Sequence, residues 1–242
     1  MGENLADEIP SDKCQVLKIT HATKHIFTHK YKLGDSPLQE TSSHTYLGVE
    51  ITKDLKWKNH INQISAKGNR ALGFIKRNLR SCNEETKLTA FNTLVRPTIE
   101  YCSAVWDPHN QDLIYQIEAI QRRAVRFIKN DYSRKTSVTE LMKDLHMSSL
   151  QDRRKIDRLS ILHKVREGHL ALPVQKILRP PHRLTKRSHI NSYQELQVNK
   201  DVYKYSYYPR TIKDWNSLPA PLTQQQDSKL FKESIKDHFC GM

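Results

Sequence analysis

The first fifty residues alternate in hydrophobicity. Cys14-Gln-Val-Leu-Lys-Ile-Thr20, Lys30-Tyr-Lys-Leu33 and Thr45-Tyr-Leu-Gly-Val-Glu-Ile51 are short runs rich in β-branched and aromatic residues. Gly34-Asp35-Ser36-Pro37 and a Thr-Ser-Ser stretch separate them. They predict three or four antiparallel strands, because no intervening segment reads as the crossover helix of a parallel connection. So small a sheet has to lean on other elements.

From Trp57 the period lengthens to that of a helix. Ile61, Ile64, Gly68, Ala71 or Leu72, Ile75 and Leu79 fall on one stripe, with Asp54 as its start signal. Asn83 followed by Glu84 and Glu85 predicts a capped second helix carrying Leu88, Phe91, Leu94 and Val95, bent or restarted at Pro97. Ile99, Val105 and Trp106 continue that apolar face. A third helix is expected over about 112–129 on Leu113, Ile117, Ile120, Ala124, Phe127 and Ile128. Ser137 with Glu140 is a capping-box pattern for a short fourth helix ending near Leu145. Ser149 and Asp152 open a fifth on Ile156, Leu159, Leu162 and Val165, stopped by Gly168. Past Leu172 the regularity falls away into Pro173, Pro180, Pro181, the basic run 182–187 and a cluster of tyrosines. Ser228 then caps a last short helix on Leu230, Phe231 and Ile235. The fold class expected is α+β, mainly α: a small antiparallel sheet, a helical bundle and an irregular C-terminal segment, divided as 1–52, 53–170 and 171–242.

Composition adds a partner to this outline. Among 242 residues there are 40 Lys and Arg against 26 Asp and Glu, a formal charge of +14. The excess is uneven: residues 51–80 hold 8 basic against 1 acidic side chain and 121–166 hold 13 against 5, whereas 81–120 hold 2 against 6. Two separate basic segments point to a polyanion, RNA or DNA, met with little sequence preference. The competing explanation is that these cations merely solvate the backs of helices. The candidate contacts are Lys58, Lys67, Arg70, Lys76 and Arg77 on the first helix and Arg122, Arg123 and Arg126 on the third.

Other chemistry finds little footing. The four cysteines are widely spaced with no CxxC pair, which argues against structural zinc or a disulfide framework and suits a reducing, intracellular compartment. His21 and His25 stand four apart in a stretch read as loop, so no metal site is expected. No apolar run approaches the ~20 residues of a membrane span, and residues 1–10 are acidic where a signal peptide would be basic. No nucleophile–base pair or Gly-rich phosphate loop is present.

Taken in order, certain residues carry a resemblance. Lys13-Cys14 leads into a strand, followed by Tyr46-Leu47-Gly48-Val49 and Trp57-Lys-Asn-His60-Ile61. Val95-Arg-Pro97 with Glu100-Tyr101 and Val105-Trp106 comes next, then Arg210-Thr-Ile-Lys-Asp-Trp215-Asn with Leu218-Pro219. Over nearly its whole length the chain resembles the C-terminal part of reverse transcriptases of non-LTR retrotransposons, the LINE and jockey-like mobile elements. The resemblance implies that residues 1–52 are a partial edge of the polymerase palm, 53–170 a thumb that lies along nucleic acid, and 171–242 a basic connection. It makes Lys13 a vestigial general-acid candidate, whose bland reading is a solvated strand edge. It makes Tyr46, Leu47 and Gly48 a primer-grip-like hairpin, whose bland reading is a strand with a bulge.

The departure from that family is as informative. Two-metal phosphoryl transfer needs paired carboxylates, and no Asp-Asp pair occurs anywhere in the chain, while Asp7 and Asp12 stand apart in an unpatterned stretch. The expectation is therefore an RNA-directed DNA polymerase fragment that does not polymerise. It holds no cofactor, since Mg²⁺ would belong to palm residues absent from this sequence. The alternative is a host protein that reuses the helical part as a protein-interaction module with no nucleic-acid role.

Overall fold

A computed structural model describes residues 14–20, 29–172, 174, 177–183 and 188–241. Lys13, Asp7, Asp12, His21 and His25 lie outside the described residues. The protein is mainly helical with small sheets, an α+β fold, and it divides into two compact units, 1–62 and 63–242.

In the first unit the strands form three separate pairs in place of one antiparallel set. β1 (Gln15–Leu17) pairs with β4 (Gln39–Thr41) in parallel, which corrects the all-antiparallel expectation. The connection from 18 to 38 supplies the dozen or more residues a parallel crossover needs. β2 (Lys32–Leu33) and β3 (Ser36–Pro37) close a small hairpin about Gly34 and Asp35.

The run expected as one strand over 45–51 is two. β5 (Ser43–Tyr46) and β6 (Val49–Thr52) pair antiparallel, from Ser43 opposite Thr52 to Tyr46 opposite Val49. The two-residue turn between them places Leu47 at φ 46° and Gly48 at φ 81°. Two consecutive positive φ values are the primed geometry whose twist suits a tight hairpin. Within this unit the Glu50 N–H donates to Nδ1 of buried His60 at 3.3 Å, tying β6 to the first turn of the following helix.

That helix, α1 (Lys58–Asn78), buries Ile61, Ile64, Leu72 and Ile75. Asp54 is not its cap; its Oδ1 accepts from Thr52 Oγ1 and Lys56 N in a turn upstream. In the second unit Asn83 caps α2 (Glu84–Ala90), accepting from Thr86 N at 2.9 Å. A π-helical turn over Phe91–Val95 joins it to α3 (Arg96–Glu100), which restarts with Pro97 in its first turn. The wider turn shifts the buried face by one position, so Phe91, Val95 and Ile99 are buried at a spacing of four, and Leu94 is exposed. Val105, expected on the same face, is exposed as well, on α4 (Ser103–Trp106).

α5 (Gln111–Lys129) is capped by Asn110 and buries Ile117, Ile120, Ala124, Phe127 and Ile128. The capping box of α6 (Val138–Asp144) is not made: Ser137 stands at the N-cap with no side-chain bond. α7 (Leu150–Arg166) does carry its cap, with Ser149 Oγ accepting from Asp152 N and donating to Asp152 Oδ2. Gly168 ends this helix at φ +75°.

Beyond 171 the described residues hold no helix or strand until 201. Four helices follow: α8 (Asp201–Lys204), α9 (Tyr207–Asn216), α10 (Ala220–Thr223) and α11 (Ser228–Cys240). The cap of α11 is Asp227, which accepts from Lys229 N and Leu230 N, and not the expected Ser228. Trp215, Leu218, Phe231 and Ile235 close a core with Ile156, Leu159 and Leu162 of α7.

 Trp215 and Asn216 also strap down the stretch before them. The Trp215 Nε1–H donates to the Asn191 carbonyl at 2.9 Å, and Asn216 both accepts from Tyr193 N and donates to the Tyr193 carbonyl.

Candidate nucleic-acid interface

α1 contains five Lys and Arg residues and no Asp or Glu. The cations do not share one face. Lys67 and Lys76 are nine residues apart, ~900° of rotation at 3.6 residues per turn, which sets them on opposite flanks of the buried stripe. Lys67, Arg70 and Arg77 are exposed on one side of the helix. Lys58, also exposed, lies in the first turn and belongs to the first unit. Lys76 is half-buried on the flank nearer α5, where burial, and then repulsion from Arg123, hold its ammonium below the ordinary lysine value.

Gly68 fixes how closely α1 approaches its neighbours. A Cβ there would stand 2.6 Å from Ile99 Cγ2 and 3.4 Å from Ile120 Cδ1, so only a glycine allows this packing without a shift. The close approach lets Arg123 of α5 reach Asn69 of α1, with Nη2 donating to Asn69 Oδ1 at 2.8 Å while Nε donates to the Ala119 carbonyl at 3.0 Å. Lys76 and Arg123 are thus brought together across a helix seam from two separate basic segments of the sequence.

The other two arginines of α5 differ from each other. Arg122 is exposed and lies 5.9 Å from the Tyr115 ring centroid. Arg126 is half-buried and committed to backbone: Nη1 donates to the Asp131 and Ser133 carbonyls at 3.2 and 2.8 Å, and Nη2 to the Thr136 carbonyl at 3.3 Å. Those bonds hold the loop after α5, so Arg126 leaves the set of phosphate contacts and becomes a loop anchor. Tyr46, Leu47 and Gly48 form the exposed tip of the β5–β6 hairpin, with a turn where the bland reading placed a bulge.

The basic segment 121–166 is less available than its charge suggests. Lys129 pairs with Glu84 at 3.0 Å, and Arg153 forks onto Glu100. Asp107, almost fully buried, receives Arg154 Nε at 2.8 Å, Arg158 Nε at 3.0 Å and Arg210 Nη1 at 3.1 Å. Arg158 also reaches Asp214 at 2.9 Å, and half-buried Tyr207 donates its hydroxyl to the Arg158 carbonyl. Glu84, Glu100 and Asp107 of the acidic segment 81–120 thus pair four of the thirteen basic side chains of 121–166. Sequence reasoning missed this network because opposite charges about fifty residues apart carry no local signal. Arg154 and Arg158, spaced four apart on the helix that also carries the apolar stripe of Ile156, Leu159 and Leu162, were its one visible trace.

Among the described residues no group of three or more His, Cys, Asp or Glu side chains is placed to hold a metal ion. Among these described residues no carboxylate set is therefore placed for the Mg²⁺ pair of a polymerase, and no chemical step is assigned to it. Among the same residues no helix is long and apolar enough to cross a membrane. Compared with known proteins, the chain matches no family model, no curated protein and no solved structure.

Proposed function

We infer that this chain is the palm edge, thumb and connection of a non-LTR retrotransposon reverse transcriptase, and that it binds RNA or DNA through phosphates without copying them. The observation that carries the binding is α1, whose five cations have no carboxylate on their own helix. Lys67, Arg70 and Arg77 are exposed there, while Arg122 and Arg123 extend the positive surface from α5. Contacts of this kind fix position on the backbone and carry no base information. The resemblance supports the polymerase origin, and the lack of an Asp-Asp pair supports the absence of catalysis by these residues.

A template-primer extension assay and a filter-binding assay on one preparation test both halves. The expected result is binding that weakens steeply as salt rises, across unrelated sequences, with no template-dependent dNTP incorporation. Incorporation above a buffer control overturns the catalytic half. Absence of binding at low salt overturns the other and leaves the protein-interaction module as the standing alternative.

A further inference from the structure

Phe74 lies in the middle of the exposed basic side of α1. Arg70 precedes it by four residues, Arg77 follows by three and Lys67 precedes by seven, spacings that put all four side chains on one face. Phe74 is 55% exposed. The other described phenylalanines are not: Phe91, Phe127 and Phe231 are buried, and half-buried Phe239 has Lys155 Nζ 4.1 Å from its ring centroid. Gly73 keeps the space beside it low, since a Cβ there would meet Arg77 Nη1 at 3.5 Å. The guanidinium of Arg77 thus lies back along the helix, over Gly73.

We propose that Lys67, Arg70, Phe74 and Arg77 form a single-stranded nucleic-acid site, in which the three cations track phosphates and the Phe74 ring stacks on an unpaired base. The inference rests on the nucleic-acid binding inferred above and narrows it to single strands. An exposed aromatic ring contributes little to a duplex whose bases are already stacked on each other. An unpaired base offers its face, and aromatic stacking tolerates any base. Charge complementarity commits the site to a polyanion, because the helix has no acid to attract a basic or neutral partner. Lys67 to Arg77 spans ~15 Å at 1.5 Å per residue, room for a few nucleotides.

Fluorescence anisotropy of the full chain with a labelled mixed-sequence 20-mer, single-stranded and as a blunt duplex, tests this. Phe74→Ala is expected to weaken single-strand binding roughly 5- to 100-fold and leave duplex binding unchanged. It should also leave the slope of log K against log salt unaltered, and Phe74→Trp should restore affinity. Arg70→Ala and Arg77→Ala should each shallow that slope by roughly 0.7. Circular dichroism confirms the fold, which an exposed side chain leaves intact. Wild-type affinity in Phe74→Ala, or an equal loss on both probes, overturns the stacking site while leaving general binding in place. Duplex binding without single-strand binding by the wild-type chain does the same. Failure of the wild-type chain to bind either probe overturns the broader reading as well.

Discussion

Helices α1 and α7 carry nearly the same formal charge, five basic side chains against none and six against two, and the fold uses them in opposite ways. On α1 Arg70 and Arg77 are exposed, and the buried face is mostly aliphatic with a glycine at its tightest contact. On α7 Arg154 and Arg158 are buried deeper than many of the apolar residues, converging on Asp107 from one side of the helix while Ile156, Leu159 and Leu162 pack against α11 from another. An arginine's role here is set by whether a carboxylate from elsewhere in the chain reaches it. Buried guanidinium groups need such partners, because an uncompensated charge in a low-dielectric interior costs several kcal/mol. Both Nη atoms of Arg154 are buried without a hydrogen-bond partner, so even this network is incompletely satisfied.

Asp107 holds the α7 arrangement together. Replacing it with Ala leaves three arginines facing one another, and the expected loss is about 3–5 kcal/mol, read from the urea midpoint. An unchanged midpoint would mean that those arginines are solvated, as on α1. Next in size is Gly68→Ala, expected to cost about 1–3 kcal/mol by overpacking against Ile99, despite alanine's better helix propensity. Gly73→Ala, with only the flexible end of Arg77 nearby, should instead stabilise by about 0.5–1 kcal/mol. Equal effects at the two glycines would contradict the packing of α1.

Arg126→Ala sharpens the distinction within α5. Loss of its three carbonyl contacts should cost about 1–2 kcal/mol while the salt dependence of nucleic-acid binding stays as it was. A shallower salt slope with unchanged stability would return Arg126 to the phosphate contacts.

The smallest effect concerns His163 on α7. Its ring stacks on Phe231 at 4.2 Å, Nε2 donates to the Gln225 carbonyl at 2.7 Å, and burial holds its pKa below the ordinary 6.5. Arg166 and His169 push it the same way, against the Gln225 hydrogen bond and Glu167, which favour the charged ring. The unfolded chain takes up this proton first as pH falls, so stability should decline from about pH 6.5 downward until the folded-state value is reached. Urea midpoints at pH 7.5 and 5.5 should differ in that sense. His163→Gln should flatten part of the difference, the remainder arising from His109, which burial also shifts down. An unaltered difference in that variant would show that His163 already binds its proton in the folded state.

The longer helices were legible in the sequence because the signals involved are local, whereas α8, α9 and α10 formed in a stretch read as irregular. Apolar residues three and four apart define α1, α5 and α7, and Asn83 and Ser149 cap their helices as their positions predict. From its residues alone Leu47-Gly48 read as a strand, since a leucine at positive φ is an unusual turn residue, and only the family resemblance implied a hairpin there. The π-helical turn was invisible, and with it the exposure of Leu94. Much of the candidate interface was likewise legible: Lys67, Arg70 and Arg77 are exposed where helical spacing put them. Only the tertiary structure decided which cations were left for a partner. Asp107, Glu100 and Glu84 lie about fifty residues from the side chains they neutralise, and chain folding alone brings them within 3 Å or so. Coulombic pairing depends on distance in space, and a charge sum along the chain has no access to it.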